Sequence, residues 1–498
     1  MRKLTIFITL ILLVFLVSCV EETDTDPTTP TVVVTEPTVV PTDPTEETII
    51  VKSYSITPFV TRGDKVKLLT EDPSFVTDTV DRNTLNTVEI DLTQTYQSMD
   101  GFGAAMTESS AYLFSNLTEE QRETVMSDLF SKEGINMSFV RIPMGASDFA
   151  LDNYSYNDIP TDQTDLEMTQ FSLSRDEQYV IPMLQIAKEK NPSLLLMGSP
   201  WSAPAWMKDT KTMNGGSLMD IYHDAYAKYF VKFIQGYDAA GLPIYAVTPQ
   251  NEPLHQTTNY PTMYMTAMQQ VQFVRTLGET FQANNIESLI IAYDHNWDKP
   301  SYPNTVIGSP VSQIYTAGAA FHCYGGSVEQ QNTVNKIYPN KGIWFTECSG
   351  GRWATNFSSN MSWNMENVFI GSINAFSKSV LMWNIALDDQ DGPQNGGCSN
   401  CRGVVTIHED GSYTRNEEYY MIGHFSKFVD QGAVRVASSS SNENLILSTF
   451  KNPDGKIVMV MHNKSNSSLT FNLNIDGSNQ NYMITGRTTV SFVLEEIN

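Results

Sequence analysis

The chain has 498 residues, of which 41% are hydrophobic and 11% aromatic, so it can bury the core of one large domain and a smaller one. Its formal net charge is -25 at pH 7. This acidic excess argues against nucleic acid as a partner, because neutralising phosphates requires Lys and Arg. Beyond that, the charge indicates only a soluble surface.

Residues 1–19, "MRKLTIFITLILLVFLVSC", have a basic start, an apolar run and a small residue before Cys19. This is the layout of a secretory signal peptide. The segment "LVSC" also resembles a bacterial lipobox, in which the cysteine becomes lipidated as the first mature residue. We therefore expect an exported chain, anchored at the bacterial cell surface through a lipid on Cys19 or else secreted. No other membrane attachment is expected.

The segments on either side of the central region have strand-like or linker-like composition. Residues 20–50 are rich in Thr and Pro and predict an extended linker. Residues 51–97 alternate apolar and polar side chains, as strands do, and residues 426–498 repeat this signature with a hairpin signal at Pro453-Asp454-Gly455. The two strand-like segments are predicted to form a β-sandwich beside the central domain.

In residues 98–425, short apolar runs are mostly separated by helical patterns. The eight runs are "SMDGFGAAM", "MSFVRIPM", "SLLLMGSP", "IYAVTPQNE", "LIIAYDHN", "GAAFHCY", "GIWFTE" and "VLMWNIAL". This alternation predicts an α/β fold, a (β/α)₈ TIM barrel. Almost every run ends in polar, aromatic or charged residues. In such a barrel these ends gather at one mouth, which predicts an active site there.

Two of these ends carry a carboxylate. Glu252 ends the fourth run and Glu347 the seventh, so both are expected to face one cleft from opposite sides. Either residue alone would more readily be interpreted as a helix cap or a surface charge. Together they meet the requirement of glycoside hydrolysis, in which one carboxyl protonates the leaving oxygen and the other attacks or stabilises the sugar carbon.

Other side chains at the strand ends suit the same chemistry. We expect the guanidinium of Arg141 to hold Glu347 ionised and oriented. Asn251 directly precedes Glu252 and is expected to hydrogen-bond a sugar hydroxyl. Trp201 and Trp383 are expected to offer flat apolar faces to sugar rings.

Seven motifs carry a resemblance to a known family. In chain order they are "DGFGAAMTES", "SFVRIPMGASDF", "GSPWSAPAWMK", "VTPQNEP", "FHCYGG", "WFTECSGG" and "MWNIALDDQDGP". Together they resemble glycoside hydrolase family 30, the lysosomal glucosylceramidase type. The resemblance implies a retaining β-glycosidase with Glu252 as general acid/base and Glu347 as nucleophile. It further implies that the −1 sugar subsite is formed by Asp148, Trp201, Asn251, His322, Tyr324 and Trp383, with Tyr260 at the rim.

The substrate is less closely defined. A β-glucoside is favoured by the resemblance, but the loop "GPQNGGCSNCRGVV" after the eighth run is more similar to microbial members, among them β-1,6-glucanases. An endo-β-1,6-glucanase, a β-xylosidase and a β-fucosidase therefore stay open. A non-catalytic glycan-binding lipoprotein is the alternative of another class, although it would not require both carboxylates. An esterase is disfavoured because the chain has no GxSxG motif.

No metal or cofactor is expected. His295 and His322 are interpreted as too isolated for a metal site, and the CxxC of Cys398 and Cys401 lacks the second ligand pair of a zinc site. A disulfide between Cys398 and Cys401 is favoured in an exported chain. The other two cysteines of the predicted barrel, Cys323 and Cys348, are predicted to be small buried residues.

Overall fold

The structure, a computed structural model, describes residues 52–75 and 86–497. The predicted signal peptide, Cys19 and the predicted linker lie outside these residues. Three strands precede the central domain: β1 (Ser53–Arg62), β2 (Thr70–Glu71) and β3 (Asn86–Ser98). Among the described residues, no helix has both the length and the apolar character needed to cross a membrane.

The central domain is a closed barrel of eight parallel strands. They are β4 (Gly101–Ala105), β5 (Phe139–Pro143), β6 (Leu195–Ser199), β7 (Ala246–Val247), β8 (Leu289–Asn296), β9 (Thr316–His322), β10 (Gly342–Glu347) and β12 (Ser377–Met382). Neighbours in the chain are neighbours in the barrel, and β12 closes it by pairing with β4. Each strand falls within one of the eight predicted runs or overlaps it, so the predicted TIM barrel is confirmed.

Helices cover the outside of the barrel. They are α1 (Glu108–Ser115), α2 (Glu119–Phe130), α3 (Ser174–Gln178), α4 (Val180–Lys190), α5 (His223–Ala239), α6 (Ala267–Ala283), α7 (Ser301–Gly308), α8 (Gln330–Ile337), α9 (Phe357–Asn364), α10 (Ile370–Asn374) and α11 (Glu417–Ser426). Capping boxes begin two of them. Thr118 pairs with Gln121 at α2, and Thr266 with Gln269 at α6, so that backbone N–H groups at both helix starts are satisfied.

Short strands extend the carboxyl ends of the last two barrel strands. They are β11 (Gly350–Gly351), β13 (Ala386–Asp388), β14 (Cys401–Arg402), β15 (Val405–Ile407) and β16 (Tyr413–Arg415). β11 follows β10 and pairs antiparallel with β14. The loop after the seventh barrel strand is thereby joined to the loop after the eighth.

The lower barrel interior is filled with apolar side chains, one from each of seven strands. They are Phe139, Met197, Ala246, Ile291, Ala320, Trp344 and Leu381. All seven are buried, so this part of the barrel is a packed core and not a pore. The functional residues therefore lie above it, toward the carboxyl ends of the strands.

The remaining strands form a side domain. They are β17 (Val434–Ser440), β18 (Leu445–Lys451), β19 (Ile457–Asn463), β20 (Leu469–Ile475), β21 (Ser478–Ile484) and β22 (Thr488–Ile497). Together with the three N-terminal strands they make one nine-stranded sheet, in the order β2-β1-β22-β19-β18-β17-β3-β20-β21.

This sheet folds over itself into two layers. β22 and β21 are six strands apart in the order, which would separate them by about 29 Å in a flat sheet. Yet the rings of Tyr482 in β21 and Phe492 in β22 have centroids only 5.2 Å apart. Both rings belong to one apolar cluster between the layers. The predicted sandwich of N- and C-terminal strands is confirmed.

Candidate active site

A polar layer lies directly above the seven apolar side chains that fill the lower barrel interior, which we call the apolar plug. Side chains on one face of a strand recur every second residue. Two positions beyond the plug residues, the interior faces therefore carry Arg141, Ser199, Thr248, His322 and Thr346, all buried. We call these five residues and Asp294 the cleft floor.

Asp294 joins the floor because β8 is irregular. Its pairing with β9 shifts between Tyr293 and His295, and the φ angles of Tyr293 and Asp294 are 77° and 63°. This bulge lets two consecutive side chains face the interior, with Asp294 in the floor and His295 on the cleft wall. A similar shift in β10 places Thr346 in the floor and Glu347 on the wall.

Asp294 and Arg141 organise the floor. One oxygen of Asp294 accepts hydrogen bonds from Arg141 Nη2 at 2.7 Å, Ser199 at 2.6 Å and Thr248 at 2.8 Å. Its other oxygen accepts a bond from Thr346 at 2.7 Å and lies 3.0 Å from His322 Nε2. Burial alone would raise the pKa of Asp294, but the positive charges of Arg141 and His322 hold it well below its ordinary value.

Glu347 receives a donor at each carboxylate oxygen. Arg141 Nη1 donates to Oε2 at 2.5 Å, and the hydroxyl of Tyr324 donates to Oε1 at 2.9 Å. Burial and the neighbouring charge of Glu252 raise the pKa of Glu347, against the opposing charges of His322 and Arg141. Both oxygens of Glu347 therefore accept hydrogen bonds, one of them from the guanidinium of Arg141, so the carboxyl is held in one orientation.

Glu252 faces two imidazoles. Its Oε1 lies 3.1 Å from Nδ1 of His322 and 3.4 Å from Nδ1 of His295. Burial would raise the pKa of Glu252, but the two imidazoles outweigh burial and hold the pKa well below its ordinary value. The backbone of Glu252 is in the left-handed region, with a φ of 44°, an uncommon conformation that is often found at functional sites.

The prediction that His295 and His322 are isolated is wrong. Ligand atoms of His295, His322 and Glu252 all lie within 4.8 Å of one another. They belong to the loop after β7, to β8 and to β9, which are neighbouring strands of the barrel, and the bulge in β8 turns His295 toward the other two residues.

The two carboxylates lie close together across the cleft. His322 Nδ1 is 3.1 Å from Oε1 of Glu252 and 3.9 Å from Oε1 of Glu347, so these two oxygens are at most 7.0 Å apart, the sum of the two distances. Retaining glycosidases separate their carboxyl groups by about 5–5.5 Å and inverting enzymes by about 6.5–9.5 Å. A separation of at most 7.0 Å is compatible with every retaining distance, but only with the shortest inverting distances.

The floor also determines the charge of His322. Burial would lower the pKa of this imidazole, but the negative charges of Glu347 and Asp294, with the bonds to Asp294 and Glu252, raise it to about 9. At neutral pH the ring therefore carries a proton that lies toward Glu252.

Trp201 and Trp383 form a stacked pair. Their rings stack on each other, with centroids 5.0 Å apart and planes inclined by 22°, and both residues are buried. The guanidinium of Arg141 lies 4.9 Å from the Trp201 ring and 5.8 Å from the Trp383 ring. Both tryptophans line the cleft, where they form one packed wall.

The other sequence-predicted residues also meet at the cleft. Asp148 and Asn251 line it, and Oδ1 of Asn251 accepts a hydrogen bond from Arg141 at 2.7 Å. Burial, with the charges of Glu347 and Glu252, raises the pKa of Asp148 well above its usual value.

Tyr260 lies on the cleft wall, where its hydroxyl is 2.9 Å from Nε2 of His255. The cleft has a volume of about 560 Å³. Two aromatic residues at its opening are about half exposed, Tyr324 at 47% and Trp353 at 56%. Trp353 was not predicted, although it stands six residues after Glu347 in a glycine-rich loop. Its ring covers Gly351, where an added Cβ would lie 2.0 Å from the indole.

Two disulfides brace this end of the barrel. Cys398 and Cys401 form the favoured disulfide, and both line the cleft. Cys323 and Cys348 are also joined, so the prediction that they are merely small buried residues is wrong. They directly follow the last residues of the neighbouring strands β9 and β10, where parallel pairing leaves their Cα atoms 5.4 Å apart, within disulfide range.

Family models and known proteins match both domains. The model described as the glycosyl hydrolase family 30 TIM-barrel domain matches residues 99–429, and that of the family's beta sandwich domain matches residues 432–492. A solved structure titled "The endo-beta1,6-glucanase BT3312" superposes with a TM-score of 0.82 at 33% identity, covering 88% of this chain and 99% of that one.

Curated relatives include two enzyme types. An endo-1,6-beta-D-glucanase of Neurospora crassa is 34% identical over 69% of this chain and 73% of its own length. The lysosomal acid glucosylceramidase of Mus musculus is 30% identical over 75% of this chain and 76% of its own. Domain order, barrel and cleft agree with these matches, and the chain therefore belongs to glycoside hydrolase family 30.

Proposed function

We propose that this glycoside hydrolase is a retaining endo-β-1,6-glucanase that uses Glu347 as nucleophile and Glu252 as general acid/base. The observation that carries the proposal is the pair of carboxylates, with oxygens at most 7.0 Å apart in one cleft of about 560 Å³. Double displacement needs such a pair, with one oxygen reaching the sugar carbon and the other the glycosidic oxygen.

In the first step, Glu347 attacks the anomeric carbon. Arg141 and Tyr324 fix its two oxygens, so that one lone pair can be directed at the sugar without a search of rotamers. The bond to the leaving oxygen breaks as a covalent glycosyl-enzyme forms, and Glu252 protonates that oxygen.

The proton for this step is stored next to Glu252. In the resting cleft His322 is the protonated group and Glu252 the anion, which is opposite to the state needed for proton donation. A bound sugar displaces water, and an ion pair in a drier cleft loses its solvation. Transfer of the proton across the 3.1 Å contact then gives a neutral pair, with Glu252 as the acid.

In the second step Glu252 acts as base. It accepts a proton from water, the resulting hydroxide attacks the anomeric carbon, and Glu347 leaves as a carboxylate stabilised by Arg141. Two displacements at one carbon return the original β configuration.

The choice of β-1,6-glucan is supported by the relatives. Endo-1,6-beta-glucanases of three fungi are 33–34% identical to this chain, whereas the glucosylceramidases are 28–31% identical. The glucosylceramidase-like activity favoured by the motifs is the competing outcome. The open end of the cleft, with Trp353 and Tyr324, suits a chain of sugars because aromatic rings pack on sugar faces.

The test is the variant Glu347→Gly with added azide. We expect hydrolysis of β-1,6-glucan to be nearly abolished and then partly restored by azide, with release of an α-glycosyl azide. The control is Glu108→Gln, a buried carboxyl that pairs with Arg175 away from the cleft, and it should retain activity. Near-normal activity of Glu347→Gly without azide would refute the nucleophile assignment.

A substrate panel separates the two candidate activities. Wild-type enzyme should release oligosaccharides from β-1,6-glucan faster than glucose from glucosylceramide, and NMR of the first product should give the β anomer. Preference for glucosylceramide would overturn the substrate, and an α anomer would overturn the mechanism.

We also propose that the mature chain is an exported, lipid-anchored protein. The signal sequence and Cys19 in "LVSC" support this proposal. In Cys19→Ala the activity should move from the membrane fraction to a soluble fraction or remain as unprocessed precursor. An unchanged distribution of a processed chain, from which residues 1–18 have been removed, would exclude the anchor.

A further inference from the structure

Three side chains beside the leaving-group position have the arrangement of metal ligands. Glu252 Oε1 lies 3.1 Å from His322 Nδ1 and 3.4 Å from His295 Nδ1. A tetrahedral zinc site with bonds of about 2.0–2.1 Å has ligand–ligand distances of about 3.3–3.4 Å. The two distances from Glu252 to the imidazoles therefore already have nearly the right length. The third distance, between the ligand nitrogens of His295 and His322, is at most 4.8 Å.

His295 supplies an independent indication. It is 8% exposed, and its Nδ1 lies 3.4 Å from Oε1 of Glu252 but makes no well-aligned hydrogen bond among the described residues. Buried polar atoms normally have a partner, and leaving one without a partner costs about 1–3 kcal/mol. Rotation of this ring toward an ion would shorten the third distance without breaking a hydrogen bond of Nδ1.

His322 is held as a zinc ligand usually is. Its Nε2 lies 3.0 Å from a carboxylate oxygen of Asp294, which leaves Nδ1 directed toward Glu252. Metal-bound histidines commonly give their second ring nitrogen to a carboxylate in this way. Asp294 is itself fixed by Arg141 and Thr346, so the imidazole is oriented before any ion arrives.

We infer that Glu252, His295 and His322 form a binding site for one zinc ion, open to the cleft, whose occupation blocks the general acid/base. Two imidazoles and one carboxylate are a common ligand set for zinc with an open fourth position. A zinc ion would replace the proton between His322 Nδ1 and Glu252 Oε1, which is released to solvent, and would exclude the leaving sugar. Zinc binding at this site does not depend on the proposed function. Inhibition of hydrolysis by zinc does depend on it, because it requires Glu252 to be the general acid/base.

The experiment uses the full chain, freed of metal by chelator, and measures zinc by calorimetry and cobalt by absorption. We expect one zinc per chain, and with Co²⁺ the visible absorption of a tetrahedral nitrogen–oxygen site. Removing a residue that only hydrogen-bonds a zinc ligand lowers zinc affinity by about 10–100-fold. His295 is proposed to be a ligand itself, so His295→Ala should lower zinc affinity by at least about 100-fold. Far-UV circular dichroism will verify that the variant is folded.

The matched control is His408→Ala. His408 is also an imidazole next to a carboxylate, 2.7 Å from Asp389, but it lies outside the cleft. Unchanged zinc affinity in this variant supports the site. Absence of one-to-one binding, or loss of binding in His408→Ala with retention in His295→Ala, overturns it. If the wild type hydrolyses a glucan, zinc should inhibit it and EDTA should reverse the inhibition. Binding without any hydrolysis would contradict only the proposed function.

Discussion

Two fully buried histidines, His322 and His424, have pKa values that are shifted in opposite directions. Burial lowers the pKa of both, but at His322 in the cleft floor the carboxylates of Glu347 and Asp294 reverse the effect and raise the pKa to about 9. His424 lies where the barrel helix α11 meets the nine-stranded sheet, between hydroxyls at 2.7 and 2.8 Å, and its pKa is lowered to about 3.

The difference lies in the partners and not in the depth of burial. His462, at the same seam between barrel and sheet, contacts the hydroxyls of Thr489 and Ser362 and also has a pKa lowered to about 3. Hydroxyls satisfy a neutral imidazole without stabilising its charge. The carboxylates of the cleft floor thus stabilise a charged imidazole next to the candidate catalytic residues. The hydroxyls between barrel and sheet instead stabilise neutral imidazoles that pack the two domains together.

The largest effect should follow from removing the anion of the floor. Asp294→Asn leaves Arg141 and His322 without their shared carboxylate, and loss of one partner from a buried ion pair costs about 3–5 kcal/mol. Because Arg141 also positions Glu347, kcat/KM should fall by about 100-fold. Urea denaturation and steady-state kinetics will measure both.

The control for this variant is Asp176→Asn. Asp176 is also fully buried, but it accepts hydrogen bonds from three tyrosine hydroxyls, those of Tyr154, Tyr156 and Tyr237. This substitution should leave kcat/KM near the wild-type value. Equal losses of activity in the two variants would mean that the floor has no special role.

The next effect concerns the disulfide that clamps the floor. Cys323 follows His322 and Cys348 follows Glu347, and their bond closes a loop with a sequence separation of 25. Replacing both by Ser should lower the free energy of unfolding by about 3.5 kcal/mol, because the unfolded chain regains loop entropy. The pair Cys398 and Cys401, with a separation of 3, should cost only about 1.5 kcal/mol. Denaturation without reductant will test this order, and equal losses would contradict it.

A smaller effect should appear on acidification. The folded-state pKa values of His424 and His462, about 3, lie below the unfolded value of about 6.5. Between these values the unfolded chain binds protons that the folded chain does not, so stability falls as pH falls. At pH 5 each histidine should cost about 2 kcal/mol relative to pH 7.

The double variant His424→Gln with His462→Gln isolates this contribution. Its free energy of unfolding should change less between pH 7 and pH 5 than that of the wild type. A difference of zero between the two proteins would show that the seam histidines are not responsible. His322 should behave oppositely, contributing stability below pH 6.5 that is lost as pH rises through about 9.

Much of the fold followed from local patterns in the sequence. Eight apolar runs with polar ends were enough to predict the barrel. Glu347 ends the seventh strand as predicted, whereas the fourth strand ends at Val247 and Glu252 lies in the loop that follows it. The sandwich was recognisable because its strands alternate apolar and polar residues. These features depend on periodicity within one segment.

The missed features depend on contacts between segments. Strict alternation would place Asp294 and His295 on opposite faces, and only the bulge in β8 turns both inward. The stacking of Trp201 on Trp383 joins loops after different strands, which no single segment encodes. The disulfide between Cys323 and Cys348 could have been predicted, since both cysteines follow adjacent parallel strands.

The pairing of β1 with β22 has a consequence for biosynthesis. Ser53 lies opposite Ile497 and Arg62 opposite Thr488, so the first described strand is completed by the last. At a synthesis rate of about 5–20 residues per second, β1 waits on the order of half a minute or more for that partner. β3 also needs β17 and β20 from the far end of the chain. The sheet therefore forms only after β22 has been synthesised, and the growing chain carries unpaired strand edges until then.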